Sequence, residues 1–248
     1  MPREVVTVQI GQCGNQIGSR FWDLALREHA IHNPAALYDE PLSSFFVNVD
    51  PRSSRVLAVG DGSVAIGSLR ARAVIVDTEE GVVNQLLRSP LGEIYDQRQI
   101  LTDVSGAGNN WAHGYEHYGP LHREGFIDKV RHALDHCDSI QCFSLVHSMG
   151  GGTGSGLGTY CLSALADEFP RVNRFVSAVF PSANDDVVTS PYNALLATHQ
   201  LIEFADAVLP VENEALIGFV TRCAFFSPFF SHASPMFSPT CQTTLSPI

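Results

Sequence analysis

A doubly wound α/β sheet is the architecture this sequence specifies, and three features carry that reading. Short β-branched runs alternate with stretches of helical apolar spacing, and the connections between them are rich in small residues. The most unusual connection, residues 148–156 (Ser-Met-Gly-Gly-Gly-Thr-Gly-Ser-Gly), stands between a strand-like run at 140–147 and a helix-like run at 157–169. Strands that alternate with helices pair in parallel, because each crossover helix returns the chain to the same edge. Ligands then meet the loops at the carboxyl ends of the strands, so a Rossmann-like sheet with its functional loops on one edge is expected.

Residues 5–10 form a β-branched run that stops at Gly11, and residues 15–30 repeat apolar side chains at helical spacing through Ile17, Phe21, Leu24 and Ala25. Residues 31–71 carry scattered Pro, Gly and Ser and read as a surface excursion with two short strands. The strand–turn–helix unit returns at 73–76, followed by Asp77-Thr78-Glu79 and a helix reaching Arg88. It returns again at 175–180, which leads through 181–186 into a helix over 191–205, and a last strand at 207–211 leads into Asn213-Glu214-Ala215-Leu216. From Ala224 onward the chain is rich in Phe, Ser and Pro, with no charged residue after Arg222, and its prolines oppose both helix and strand. A domain over residues 1–217 and a divergent, unfolded tail over 218–248 are therefore expected.

The 248 residues, 45% of them hydrophobic, suffice to bury a core. A net charge of -11 with a single lysine, Lys129, argues against a nucleic-acid or anionic-membrane surface, since both need cations to neutralise phosphate. No apolar run approaches the ~18 to 20 residues of a membrane helix. The six cysteines include no C-x-x-C pair, and the opening Met-Pro-Arg-Glu lacks the apolar core of a signal peptide. Reduced thiols in a cytoplasmic protein are the expectation.

The chemistry lies in the loops. A glycine run that opens a helix lets backbone N–H groups approach a ligand, and such groups favour an anion, with phosphate the default guest. No Lys followed by Ser or Thr completes a P-loop here, and no frame supplies the Gly-x-Gly-x-x-Gly register of a dinucleotide fold. Gly11-Gln12-Cys13-Gly14 offers either a second set of backbone donors or an ordinary tight turn. Asp77 and Glu79 could hold Mg²⁺ through water, or could simply cap the helix that follows. Residues 105–111 (Ser-Gly-Ala-Gly-Asn-Asn-Trp) form a further small-residue loop before a helix, a candidate cradle for terminal phosphates.

Gly11-Gln12-Cys13-Gly14-Asn15-Gln16-Ile17-Gly18, Gly106-Ala107-Gly108-Asn109-Asn110-Trp111-Ala112, the glycine run, Ser190-Pro191-Tyr192-Asn193 and Asn213-Glu214-Ala215-Leu216 resemble, in order and spacing, the nucleotide-binding domain of the tubulin family. Ser155, where bacterial division relatives tend to have Thr, points to the eukaryotic side. The stretch before Asp77, with residues 80–84 and Asp185-Asp186-Val187, is most similar to the epsilon branch. The resemblance covers roughly residues 3 to 217. It implies GTP or GDP with Mg²⁺, other tubulin subunits and centriolar or basal-body proteins as partners, and a cytoskeletal, centrosomal setting.

By the same resemblance Gln12 and Cys13 lie by the phosphates and ribose, Glu79 by Mg²⁺, and Ala107, Gly108 and Asn109 by the γ-phosphate. Ser148, Gly152, Thr153 and Gly154 grip the α- and β-phosphates, Asp186 reaches the ribose, and Asn213 pairs with the guanine edge. Hydrolysis in the family occurs between subunits, so no catalytic residue is assigned to this chain.

Two departures stand out. Ser190 replaces the Glu that usually precedes Pro-Tyr-Asn as a ribose contact. After Leu216 the match dissolves, so the chain reads as truncated before the central helix, the second domain and the ring that stacks on guanine. The alternatives are an interaction fragment that binds no nucleotide and a dinucleotide-dependent oxidoreductase, the latter disfavoured by the missing fingerprint. His113-Gly114-Tyr115-Glu116-His117 fits H-x-x-E-H, but without a secure distal ligand it is a weak zinc motif.

Overall fold

The computed structural model describes residues 3–53, 55–57, 60–182, 185 and 187–226. The strands are β1 (Glu4–Ile10), β2 (Phe46–Val49), β3 (Ser68–Ala71), β4 (Ala73–Asp77), β5 (Ile100–Thr102), β6 (Ile140–Ser148), β7 (Asn173–Phe180) and β8 (Ala207–Glu212). The α-helices are α1 (Gly11–His32), α2 (Glu40–Phe45), α3 (Glu80–Arg88), α4 (Gly119–Leu134), α5 (Gly158–Glu168), α6 (Ser190–Phe204) and α7 (Asn213–Phe226). Strands β2 and β3 pair antiparallel, and the other six form one sheet in the order β5-β4-β1-β6-β7-β8 with every pairing parallel. The chain runs outward from β1 through β4 to β5, then recrosses to lay β6 beside β1. That is the doubly wound connectivity, and its switch point falls between β1 and β6.

Alternation along the central strands explains why helices cover both faces. Val6, Val8 and Ile10 of β1, with Val74 and Val76 of β4, join Phe126, Ile127 and Val130 of α4 and Leu162 and Leu165 of α5 in one core. The intervening Ala73 and Ile75 join Trp22 of α1 and Val83 of α3 in another.

Four features differ from the expectation. Helix α1 begins at Gly11, directly after β1, so the expected glycine turn is the helix's own first turn. Gly11 makes this possible with φ at 71°, a left-handed backbone that turns strand into helix without a linker. Residues 31–71 are more than a surface excursion, because Tyr38, Leu42 and Phe46 belong to the second core and the Tyr38 hydroxyl donates to the Phe46 carbonyl at 2.7 Å. Helix α2 escapes the eye because it is six residues long, although Asp39 caps it by accepting from the Leu42 N–H at 3.1 Å.

Helix α7 runs past residue 217, the expected domain boundary, to Phe226, and the next proline is Pro228. Residues 218–226 are therefore helical rather than unfolded, since nothing in them breaks a helix. The tail from residue 227 and Asp186 lie outside the described residues. Among the described residues no helix is long and apolar enough to cross a membrane, and Cys13, Cys137, Cys142 and Cys161 are free thiols.

Candidate functional site

Because all six strands of the large sheet are parallel, their carboxyl ends bring every candidate loop to one edge. At the switch point the start of α1 rests on the glycine run: a methyl group on Gly11 would lie 3.3 Å from the Gly154 amide nitrogen. Gln12 is exposed beside it, while Cys13 is buried. Burial pushes the Cys13 thiol up to about 11, so desolvation outweighs any lowering by the helix N-terminus, and the residue acts as a small neutral side chain.

Asp77 and Glu79 have different surroundings. Strand β4 ends at Asp77, so strand alternation does not carry to Glu79. Asp77 is buried, accepting from the Asn15 Nδ2 amide at 3.3 Å and from the Glu79 N–H at 3.3 Å, so it anchors α1 and the turn. Glu79 is exposed and its carboxylate lies over Gly106, where an added methyl would meet its Oε1 at 2.2 Å. Next in the turn, Thr78 is buried and its hydroxyl bonds that of Thr153 at 2.6 Å, which ties β4 to the glycine run.

Burial raises the Asp77 carboxyl from its ordinary 3.8 to about 6. Between those values the folded chain keeps a proton that the unfolded chain has released, so stability falls as pH rises from about 4 to about 6. The full shift corresponds to roughly 3 kcal/mol at most. Asp77→Asn is expected to flatten that part of the pH profile, read as urea midpoints of both proteins between pH 4 and pH 7. An unchanged difference across the window would rule out Asp77 as its source.

The two glycine-rich loops interlock. Ala107 is buried, and a methyl on Gly152 would lie 2.7 Å from the Asn110 amide nitrogen and 2.9 Å from the Ala107 carbonyl. Gly152 has φ at -83°, which any residue can adopt, so the demand for glycine is one of close approach. Ser148 packs beneath Gly154, whose added methyl would meet the Ser148 Oγ at 2.6 Å. Gly151 by contrast has room for such a methyl, which would make ordinary contacts with the Asn109 Oδ1 at 3.7 Å and the Ser148 Oγ at 3.9 Å. Across from it Gly108 and Asn109 are exposed and both left-handed, with φ at 59° and 52°.

Both loops pass into π-helical turns, His113–Tyr118 and Thr153–Leu157, before α4 and α5 begin. Wider turns of this kind recur at functional sites. The H-x-x-E-H segment occupies the first of them, where the His113 and His117 rings stack at 4.8 Å. The described residues contain no group of three His, Cys, Asp or Glu able to hold a metal ion.

Two more site residues come from α6. Ser190 is buried and donates to the Asp185 carboxylate at 2.9 Å, so it faces the protein. Asn193 is buried with three bonds to loop backbone, a role its place in the Pro-Tyr-Asn segment did not reveal. Asn213 is exposed and opens α7 at the end of β8, on the same edge but beyond β7.

A doubly wound parallel sheet with interlocked glycine loops at the carboxyl ends of its strands defines the class of α/β domain to which the chain conforms. The chain belongs to the tubulin/FtsZ family, whose GTPase domain matches residues 4–221. It is 56% identical over 221 residues to the mouse tubulin epsilon chain, which covers 88% of this chain and 46% of the relative. The human tubulin epsilon chain is 55% identical over the same length, again 88% of this chain and 46% of the relative. The tubulin beta-6 chain of Gossypium hirsutum is 38% identical over 240 residues, 96% of this chain and 52% of the relative. The chain thus spans about half the length of the curated relatives it matches.

Proposed function

We propose that this chain binds GTP and GDP at the β1–β6 switch point and serves as the nucleotide domain of an epsilon-type tubulin subunit of the cytoskeleton. The observation that carries the reading is the interlock of the two glycine-rich loops at Gly152, which brings Gly151 beside Asn109 at the strand ends. Backbone donors at helix entrances suit phosphate, and no lysine is needed where they supply the positive end. Gln12, Cys13, Ser148, Gly152, Thr153 and Gly154 would hold the inner phosphates, and Ala107, Gly108 and Asn109 the terminal one. Asp186 would reach the ribose.

Mg²⁺ fits the donor set through Glu79 alone, a hard, exposed carboxylate against the terminal-phosphate loop. This ion commonly uses one or two carboxylates, phosphate oxygens and water rather than a protein cage. Bound there it would neutralise phosphate charge. Partners under this reading are other tubulin subunits and centriolar or basal-body proteins, with hydrolysis left to contacts between subunits.

Mass spectrometry of the nucleotide released from purified protein tests the reading, with GDP or GTP expected. A nicotinamide dinucleotide, or no nucleotide after supplementation with GTP and Mg²⁺, would overturn it. Base selection is assigned to Asn213, whose carboxamide can donate and accept at the guanine edge. Asn213→Ala should weaken GTP by about 1 to 3 kcal/mol, roughly five- to hundredfold, with little change for ATP in direct titration. An equal loss for both nucleotides would remove Asn213 from that role.

A further inference from the structure

We infer that Asn193 is the positioning residue that sets the 106–110 loop against the glycine run, and through it the preference of the site for triphosphate over diphosphate. The inference rests on the guanine-nucleotide reading and deepens it.

Asn193 is 3% exposed, on the first turn of α6. Its Nδ2 donates to the Asn109 carbonyl at 2.8 Å and to the Gly150 carbonyl at 2.8 Å, and its Oδ1 accepts from the Trp111 N–H at 2.9 Å. The orientation of the amide follows from its partners, since two carbonyls demand the nitrogen and one N–H demands the oxygen. The Thr189 hydroxyl donates to the same Asn109 carbonyl at 2.6 Å. One buried carboxamide therefore joins the loop after β5 to the loop after β6. These bonds reach across 43 to 84 residues of sequence, so they locate one loop relative to the other rather than capping α6.

The loop needs such a brace. Gly108 and Asn109 are left-handed in succession, and a non-glycine residue pays for that conformation unless its surroundings hold it. Glycine-rich backbone has little side-chain packing of its own to resist drift. The loop that Asn193 holds is the one assigned to the terminal phosphate, whereas the glycine run keeps its own support from Thr78 and Ser148. Loss of the brace should therefore fall mainly on GTP.

The test compares Asn193→Ala, Asn193→Asp and Thr189→Val in the full chain by titration with GTP and GDP, together with amide hydrogen exchange of the nucleotide-free protein. Asn193→Ala should lower GTP affinity at least tenfold and GDP affinity less than threefold, and should deprotect the Trp111 N–H. Asn193→Asp keeps the acceptor for Trp111 but has no N–H for the two carbonyls. It should retain Trp111 protection and still lose the triphosphate preference. Thr189→Val, which removes the bond to the Asn109 carbonyl and the acceptor for Asn193 Nδ2 but no buried amide, should shift the GTP to GDP ratio in the same direction by about threefold, and it preserves the test if Asn193→Ala does not fold. Equal loss of GTP and GDP in every variant, or no loss in any, would reduce Asn193 to a structural residue and overturn the inference. If the parent chain binds neither nucleotide, the functional reading itself fails. The exchange data then decide the brace separately: unaltered protection of Trp111 in Asn193→Ala overturns it.

Discussion

Gly151→Val is expected to abolish guanine-nucleotide binding while leaving the fold intact, whereas Gly152→Val is expected to lose both. The two glycines are neighbours in sequence and opposite in environment. A methyl at Gly151 meets only ordinary contacts, at 3.7 Å and beyond, from Asn109 and Ser148, two residues of the proposed phosphate site. Its cost should therefore appear in affinity, at least a hundredfold or about 2.7 kcal/mol, with a melting temperature close to that of the parent. At Gly152 the added group meets the Asn110 amide and the Ala107 carbonyl within 3 Å, and backbone on both sides cannot rotate away. Overpacking of this kind costs about 1 to 3 kcal/mol or more and would pry the two loops apart. Titration with GTP and thermal melts of both variants provide the check. Normal binding by Gly151→Val would remove the glycine run from the phosphate site, and an unaltered melt for Gly152→Val would contradict the interlocked loops.

Replacing the outward apolar residues of α6 and β8 is expected to raise solubility strongly at almost no cost in stability. Helix α6 turns Asn193, Ala197 and Leu201 inward, yet Tyr192, Leu195 and Ile202 on its opposite side are 71%, 70% and 80% exposed. A helix apolar on both sides is built to be covered on both. Leu209 of β8 and Ile217, Phe219 and Val220 of α7 are exposed as well. Covering a large aliphatic side chain contributes roughly 1.5 to 3 kcal/mol, so this surface gives copies of the chain a strong drive to associate. The parent should aggregate at modest concentration and be only marginally stable. The triple variant Leu195→Gln, Ile202→Gln, Leu209→Thr should stay monomeric several-fold higher in light scattering, with its urea midpoint changed by only about 0.5 kcal/mol per site. A loss of 2 kcal/mol or more would mean that these side chains are packed within the fold. An unchanged onset of aggregation would place the association surface elsewhere.

Much of the architecture was legible because its signals are local. β1, β4, β6, β7 and β8 announce themselves by β-branched runs between helical stretches, and their alternation already implies parallel pairing. β5 has three residues and α2 six, too few for a period to register. The core formed by Tyr38, Leu42 and Phe46 was hidden for another reason: scattered prolines and glycines look like surface when the packing partners lie far along the chain. Helix α7 reaches Phe226 because residues 213–226 contain no proline, a local fact that the Phe-, Ser- and Pro-rich composition of the residues after it obscures.

What the sequence determined by itself is the set of small-residue loops and their place at strand ends, since glycine content and strand periodicity are properties of neighbouring residues. Only the tertiary structure decided what each loop residue does. It turned Asp77 inward to Asn15 and left Glu79 at the loop, made Gly152 a packing position and Gly151 a roomier one, and drew Asn193 from α6 into a brace between two loops. Those outcomes depend on hydrogen bonds and close contacts between residues far apart in the chain, up to 84 positions for Asn193 and Asn109. A donor and acceptor so separated carry no mark of each other in the chain, and the parallel sheet brings them together only by placing every strand end on one edge.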